Sequence, residues 1–115
     1  MSRINSRAKG CRAELAWCAF LRENGWSARR GCQHSAVDAE TGKDNPDVVC
    51  PDLSWLHFEV KHVERLNIMD AMDQAKRDAG DNVPVVAHKK NNCPWLITVP
   101  AEEFVRALRG DWPLE

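Results

Sequence analysis

The strongest constraint on this chain lies between Leu56 and Lys61, where Leu-His-Phe-Glu-Val-Lys alternates apolar and polar residues without a break. Side chains alternate across a strand with a period of two. Leu56, Phe58 and Val60 therefore share one face, and His57, Glu59 and Lys61 share the other. Ahead of this strand, Asp47-Val48-Val49-Cys50 is a second short apolar run, and Pro51-Asp52 between them is a turn signal. An acid and a lysine two residues apart on one strand face, joined by Asp47 from the neighbouring strand, make a charged cluster over an apolar layer. Such a cluster is costly to hold unless it binds something, and a divalent cation with a phosphate suits its chemistry.

The chain has 115 residues, which predicts one domain over residues 1–115. Hydrophobic residues make up 43%, enough to build a core. No run approaches the roughly 18 apolar residues of a membrane span, so no membrane partner is expected. No charged-then-apolar leader opens the sequence, and a cytoplasmic location is the expectation. Cys11, Cys18, Cys32, Cys50 and Cys93 are odd in number, widely spaced and lack a CxxC pair, which predicts free, partly buried thiols. A zinc site would require Cys32 and His34 to recruit distant partners.

The net charge of −1 looks unsuited to nucleic acid, but its distribution matters more than its sum. Arg3, Arg7, Lys9, Arg12, Arg22, Arg29 and Arg30 precede Gly31, against only Glu14 and Glu23. The acids collect later, at Asp38, Glu40, Asp44, Asp47, Asp52 and Glu59. A basic rim around an acidic metal centre has this pattern, and so does an arginine-rich solvated helix face.

Taken in order, Ser6 to about Asn24 reads as an amphipathic helix with Ala13, Leu15, Ala16, Trp17, Ala19, Phe20 and Leu21 on its apolar side and Asn24-Gly25 as its stop. Glu14 lies beside that stripe, either as a rim carboxylate paired with an arginine or as an acid projecting towards the metal site. Trp26 to Gly31 is a first strand, and the polar stretch from Cys32 to Asn45 is a loop in which Ser35 is the one candidate for touching a phosphate. After the two strands already described, Ile68 to Ala79 is a helix closed by Gly80. Ile68, Met69, Met72, Ala75 and Ala79 form its buried side, and Gln74 reads as solvated. Val83 to His88 is a strand with Pro84 at its start or on an edge. Lys89-Lys90-Asn91-Asn92 is a basic turn, Trp95 to Val99 a strand, and Pro100 to about Arg109 a last helix with acids in its first turn. The order of helix, three strands, helix, two strands, helix predicts an α/β domain with a mixed central sheet flanked by helices.

Phosphodiester hydrolysis needs a nucleophilic water, neutralised charge on the phosphoryl oxygens and a stabilised leaving oxygen. Carboxylates of Asp47 and Glu59, with the Val60 carbonyl, suit one or two Mg²⁺ ions, and Mn²⁺ is expected to substitute. Lys61 would orient the water or stabilise charge at the scissile phosphate, and Glu14 would complete a second metal position.

The set of Glu14 on a first helix, Pro46-Asp47 opening a strand, and Glu59-Val60-Lys61 on the next strand resembles the PD-(D/E)XK nuclease superfamily. A helix bearing Gln74 follows, similar to the glutamine found after the ExK strand in several branches. Asp78 stands one turn later, where the family carries an aromatic. The resemblance covers roughly Ser6 to Val99 and implies a restriction-endonuclease-like αβββαβ core. The short length and basic N-terminal segment look most like Holliday junction resolvases of archaeal and phage type. Those are Mg²⁺-dependent homodimers that cut four-way DNA junctions symmetrically in recombination and repair. The resemblance implies Asp47 and Glu59 as metal ligands, Lys61 as catalytic, Glu14 as a further metal-site acid and Ser35 as an active-site loop residue. Arg7, Lys9, Arg12, Arg29, Arg30, Gln74, Lys89 and Lys90 are the further candidates for contacting DNA.

Two alternatives remain beside the resolvase. One is a nicking, restriction-type or repair nuclease acting on ordinary duplex, which needs base-reading side chains in a groove. The other is a nucleic-acid-binding domain with an idle centre. The homodimer follows from the need to cut two opposed strands. Five tryptophans (Trp17, Trp26, Trp55, Trp95, Trp112) exceed what one small core easily hides. Trp55 and Trp112 are the candidates for an interface or a base-stacking surface.

Overall fold

Seven consecutive residues of β3 (Leu56–His62) lie beside seven of β4 (Val83–Lys89) in parallel register, from Leu56 opposite Val83 to His62 opposite Lys89. Parallel neighbours need a crossover, and α2 (Ile68–Ala79) supplies it. β5 (Leu96–Thr98) adds to the far side of β4 antiparallel, so the three strands make a mixed sheet in the order β3-β4-β5. This computed structural model describes residues 6–31 and 48–112, and within the first helix it describes side chains from Lys9 onward.

The chain divides into two compact units, Met1–Asp52 and Leu53–Glu115. In the first, α1 (Ser6–Glu23) buries Ala13, Trp17, Cys18 and Leu21, while Leu15 and Phe20, expected on the apolar side, are exposed. Its end explains why the first strand is shorter than the sequence predicts. Gly25, at φ 94°, lets the chain turn back, so that Gly25 N donates to the Arg22 carbonyl and Trp26 N to the Leu21 carbonyl at 3.0 Å. Arg22 Nη1 takes the Ala28 carbonyl at 2.6 Å. Residues 26–28 therefore close the helix, leaving only β1 (Arg29–Arg30) to pair antiparallel with β2 (Val48–Val49). Among the described residues the strands form two sheets, and the single sheet expected is not what they show.

The second unit has the βαβ crossover as its centre. Asn67 caps α2, its side chain accepting from Asp70 N at 3.1 Å, and Gly80 ends the helix at φ 60°. Ala71, Met72 and Ala75 pack with Val86 of β4, and Leu66 and Ile68 close against them. Met69, expected inside, is 68% exposed, and Ala71 takes its place. Ala71 and Ala75 stand four residues apart on the side of α2 that meets Val86, and Met69 falls outside that row. Pro84 sits opposite His57 near the start of the central strand, before the pairing with β5 begins at Val86, so its missing N–H costs little there. α3 (Ala101–Leu108) has no buried residue and leaves Phe104, Val105 and Leu108 exposed. Among the described residues no helix is long and apolar enough to cross a membrane.

Candidate functional site

The polar face of β3 lies under α2. Lys61 Nζ donates to Gln74 Oε1 at 3.3 Å, which fixes one rung between strand and helix. Two residues back along a strand is about 6.6 Å, and one helical turn of four residues is about 6.0 Å. The next rung therefore sets Asp78 against Glu59 and His57, and ligand atoms of those three lie within 4.8 Å of one another. The helix and the strand run in opposite directions, and their similar steps keep the two rows of polar side chains in phase.

Glu59 is the only charged side chain buried among the described residues, at 5% exposure. Val86, its neighbour in register on β4, belongs to the apolar cluster beneath α2, so the carboxylate borders an apolar core. Two groups face it. Lys61 Nζ stands 3.4 Å from Oε2, and His57 Nε2 stands 3.8 Å from Oε1. The first is a charge-assisted contact; the second exceeds hydrogen-bond range. His57 Nε2 is buried and has no hydrogen-bond partner, a state that costs about 1–3 kcal/mol when nothing else satisfies the atom.

The sequence-predicted residues separate into three groups. Glu59, Lys61 and Gln74 come together in the second unit, and Gln74 is half-buried with Lys61 as its partner instead of solvated. Val60 lies between them on β3, opposite Ala87 in register. In the first unit, Glu14 accepts from Arg30 Nε at 3.1 Å, the arginine-paired arrangement of the two foreseen for it. Asp47, Ser35, Cys32 and His34 lie outside the described residues, as does the side chain of Arg7.

The basic candidates differ in availability. Lys9, Arg12 and Arg29 are exposed in the first unit, whereas Arg30 is half-buried against Glu14. In the second unit Lys89 lies over the Trp95 ring, 5.7 Å from its centroid, and Lys90 is exposed. Next to them a cleft of about 380 Å³ is lined by Leu66, Ile68, His88, Lys89, Lys90 and Leu96, among others. Burial lowers the His88 pKa below its ordinary value, so the imidazole is neutral near pH 7, and its Nε2 meets Thr98 Oγ1 at 2.9 Å. Burial likewise raises the Cys18 thiol, which keeps it protonated and unreactive. Among the described residues Cys11, Cys18, Cys50 and Cys93 are not joined in disulfides. Trp55 and Trp112, foreseen as surface rings, are half-buried and pack edge to face at 6.4 Å.

Sequence reasoning gave no role to His57 or Asp78. The signal was present: His57 is two residues before Glu59, and Asp78 is one turn after Gln74. Seeing that they meet required the direction of α2 over β3.

The donor set suits a divalent cation. Glu59 has Oε2 nearest Lys61 Nζ, at 3.4 Å, and Oε1 nearest the unsatisfied His57 Nε2, at 3.8 Å. Comparison with family models, with curated proteins and with solved structures finds no match.

Proposed function

We propose that this chain is a Mg²⁺-dependent, structure-selective DNA endonuclease of the Holliday-junction-resolving kind, acting as a homodimer and built on a PD-(D/E)XK core. The observation that carries the reading is the buried Glu59 beside Lys61 on β3, with Gln74 of α2 accepting from Lys61 Nζ at 3.3 Å. A lysine held by two oxygen acceptors has its ammonium fixed in direction, as a group that must meet a water or a phosphoryl oxygen requires.

In this mechanism Glu59 would hold the cation through a carboxylate oxygen, with the Val60 carbonyl as a further ligand; Asp47, outside the described residues, and Glu14, paired with Arg30, are the further acids that the resemblance implies. The cation, when bound, lowers the pKa of a coordinated water and draws charge from the phosphoryl oxygens. Lys61 orients the water for in-line attack on phosphorus and stabilises the negative charge that develops there. The attacking water would lose a proton to solvent as its oxygen bonds to phosphorus, the bond between phosphorus and the leaving sugar oxygen would break, and that oxygen would take a proton from solvent. Gln74 is a positioning residue, acting through Lys61. Lys9, Arg12 and Arg29 supply phosphate contacts that are independent of base sequence. Two active sites facing opposed strands require a second copy.

Cleavage of a labelled four-way junction and its matched linear duplex, with Mg²⁺ and with EDTA, tests the proposal, with Glu59→Ala alongside to exclude a contaminant. Paired symmetric cuts confined to the junction are expected. Equal cutting of both substrates would leave a duplex nuclease, and no metal-dependent cutting would leave a nucleic-acid-binding domain.

A further inference from the structure

The geometry points to a mixed nitrogen–oxygen cation site formed by His57, Glu59 and Asp78, one that takes a transition-series divalent ion such as Mn²⁺ or Co²⁺ in preference to Mg²⁺. The site shares Glu59 with the nuclease reading but does not require that the chain cut anything.

Three observations converge on it. First, the ligand atoms of the three side chains lie within 4.8 Å of one another. Bonds of about 2.1 Å allow two ligands of one ion to stand up to about 4.2 Å apart. The 3.8 Å between His57 Nε2 and Glu59 Oε1 already falls inside that span. Asp78 is exposed on the outer turn of α2, so a rotamer adjustment closes the remainder without disturbing the core.

Second, His57 Nε2 is buried without a hydrogen-bond partner. It stands 3.8 Å from Glu59 Oε1, too far to donate to it, and a cation placed between the two atoms would ligate both. Third, Lys61 occupies Oε2 of Glu59, so Oε1 is the oxygen left to ligate, and it is the one facing His57.

The donor set determines the preference. Mg²⁺ takes oxygen ligands in a near-ideal octahedron and keeps most of its waters. Imidazole nitrogen favours the later first-row ions, in the order Mn²⁺ below Co²⁺ below Cu²⁺. One histidine with two carboxylates leaves open coordination positions for water or for a phosphate oxygen.

The test uses the full chain, freed of metal with EDTA and dialysed, without nucleic acid. Titration calorimetry with Mn²⁺ and with Mg²⁺ should show one Mn²⁺ site about tenfold or more tighter than Mg²⁺. Co²⁺ should give visible d–d bands with the intensity of a site bearing a nitrogen ligand. His57→Ala and Asp78→Asn should each weaken Mn²⁺ about tenfold or more, and His57→Ala should also change the Co²⁺ spectrum. Asp78→Asn alters an exposed position, so it carries the test if His57→Ala does not fold. Equal affinity of Mn²⁺ and Mg²⁺, or unchanged Mn²⁺ binding in Asp78→Asn, would overturn the site. Absence of the Mn²⁺ site in a parent protein that still cuts the junction with Mg²⁺ removes this inference and leaves the nuclease reading intact. Tight Mn²⁺ binding in a protein that cuts nothing does the reverse.

Discussion

Lys61→Met, studied without metal, asks whether Glu59 is held in β3 as a buried charge. The carboxylate is 7% exposed at its side chain and has Lys61 Nζ at 3.4 Å as its ammonium partner. At an effective dielectric constant of about 20, unit charges 3.4 Å apart attract by about 5 kcal/mol. Lys61 is 30% exposed, so solvent screens part of this, and about 2–4 kcal/mol is the expected loss when the cation is removed. Methionine keeps the length and packing of the lysine stem, which limits the change to the charge. Glu59→Gln is the counterpart. It removes the anion at almost constant shape, while Lys61 keeps Gln74 and can reach solvent, so the cost should stay within about 1 kcal/mol. Glu59→Gln combined with Lys61→Met should recover most of what Lys61→Met loses, giving a coupling of about 2–3 kcal/mol. Urea unfolding in EDTA, followed by far-UV circular dichroism, reads all four proteins. A loss below about 1 kcal/mol in Lys61→Met, or a larger loss in Glu59→Gln, would refute the reasoning, because Glu59 would then not be a buried charge that depends on Lys61.

Val86 is fully buried in the cluster under α2, and Val86→Ala should cost about 2 kcal/mol in the same urea assay. Asn67→Ala removes the acceptor for Asp70 N and should cost about 1 kcal/mol, whereas Asn67→Asp should be close to neutral. Burial lowers the folded-state pKa of His88, so the unfolded chain binds the proton more readily. Its contribution is present above the ordinary histidine pKa of about 6.5 and is lost as pH falls below it; His88→Gln should flatten the decline in stability between about pH 7 and pH 5.

Much of the second unit was legible in the sequence because two periods are written plainly there. Leu56 to Lys61 alternates at two, and β3 extends that reading by one residue, to His62. Asn67 and Gly80 bracket α2 with cap chemistry that local geometry enforces. What failed depended on partners far along the chain. Gln74 reads as solvated from α2 alone and becomes half-buried only because Lys61 arrives from β3. Met69 and Ala71 differ by which side of α2 meets Val86, a choice invisible until β4 is in place. Trp26 to Ala28 precede the strand residues Arg29 and Arg30, yet the backbone closure at Gly25 claims them first. His57 and Asp78 were missed for the same reason as Gln74, since strand-to-helix rungs are properties of the packed pair. Asp47, on which the proposed chemistry draws, and Ser35 fall outside the described residues.

A strand that needed only to pack would carry at position 59 what β4 carries beside it, the valine at position 86. Replacing a buried ion pair with apolar residues of similar volume is often neutral, or stabilising by about 1–4 kcal/mol. The double substitution Glu59→Val with Lys61→Met should therefore equal or exceed the parent in urea resistance. Its β-branched side chain suits the strand, and it removes the unsatisfied approach of Glu59 to His57. On the proposed reading the same protein should bind neither Mn²⁺ nor Mg²⁺ and should leave a four-way junction uncut. Stability gained together with binding lost would mean that folding and function make opposite demands on this residue, and that Glu59 is there for its chemistry. A loss of more than about 1 kcal/mol would instead make the Glu59–Lys61 pair part of what holds β3 under α2. The case for a functional centre at this strand would then lose its physical footing.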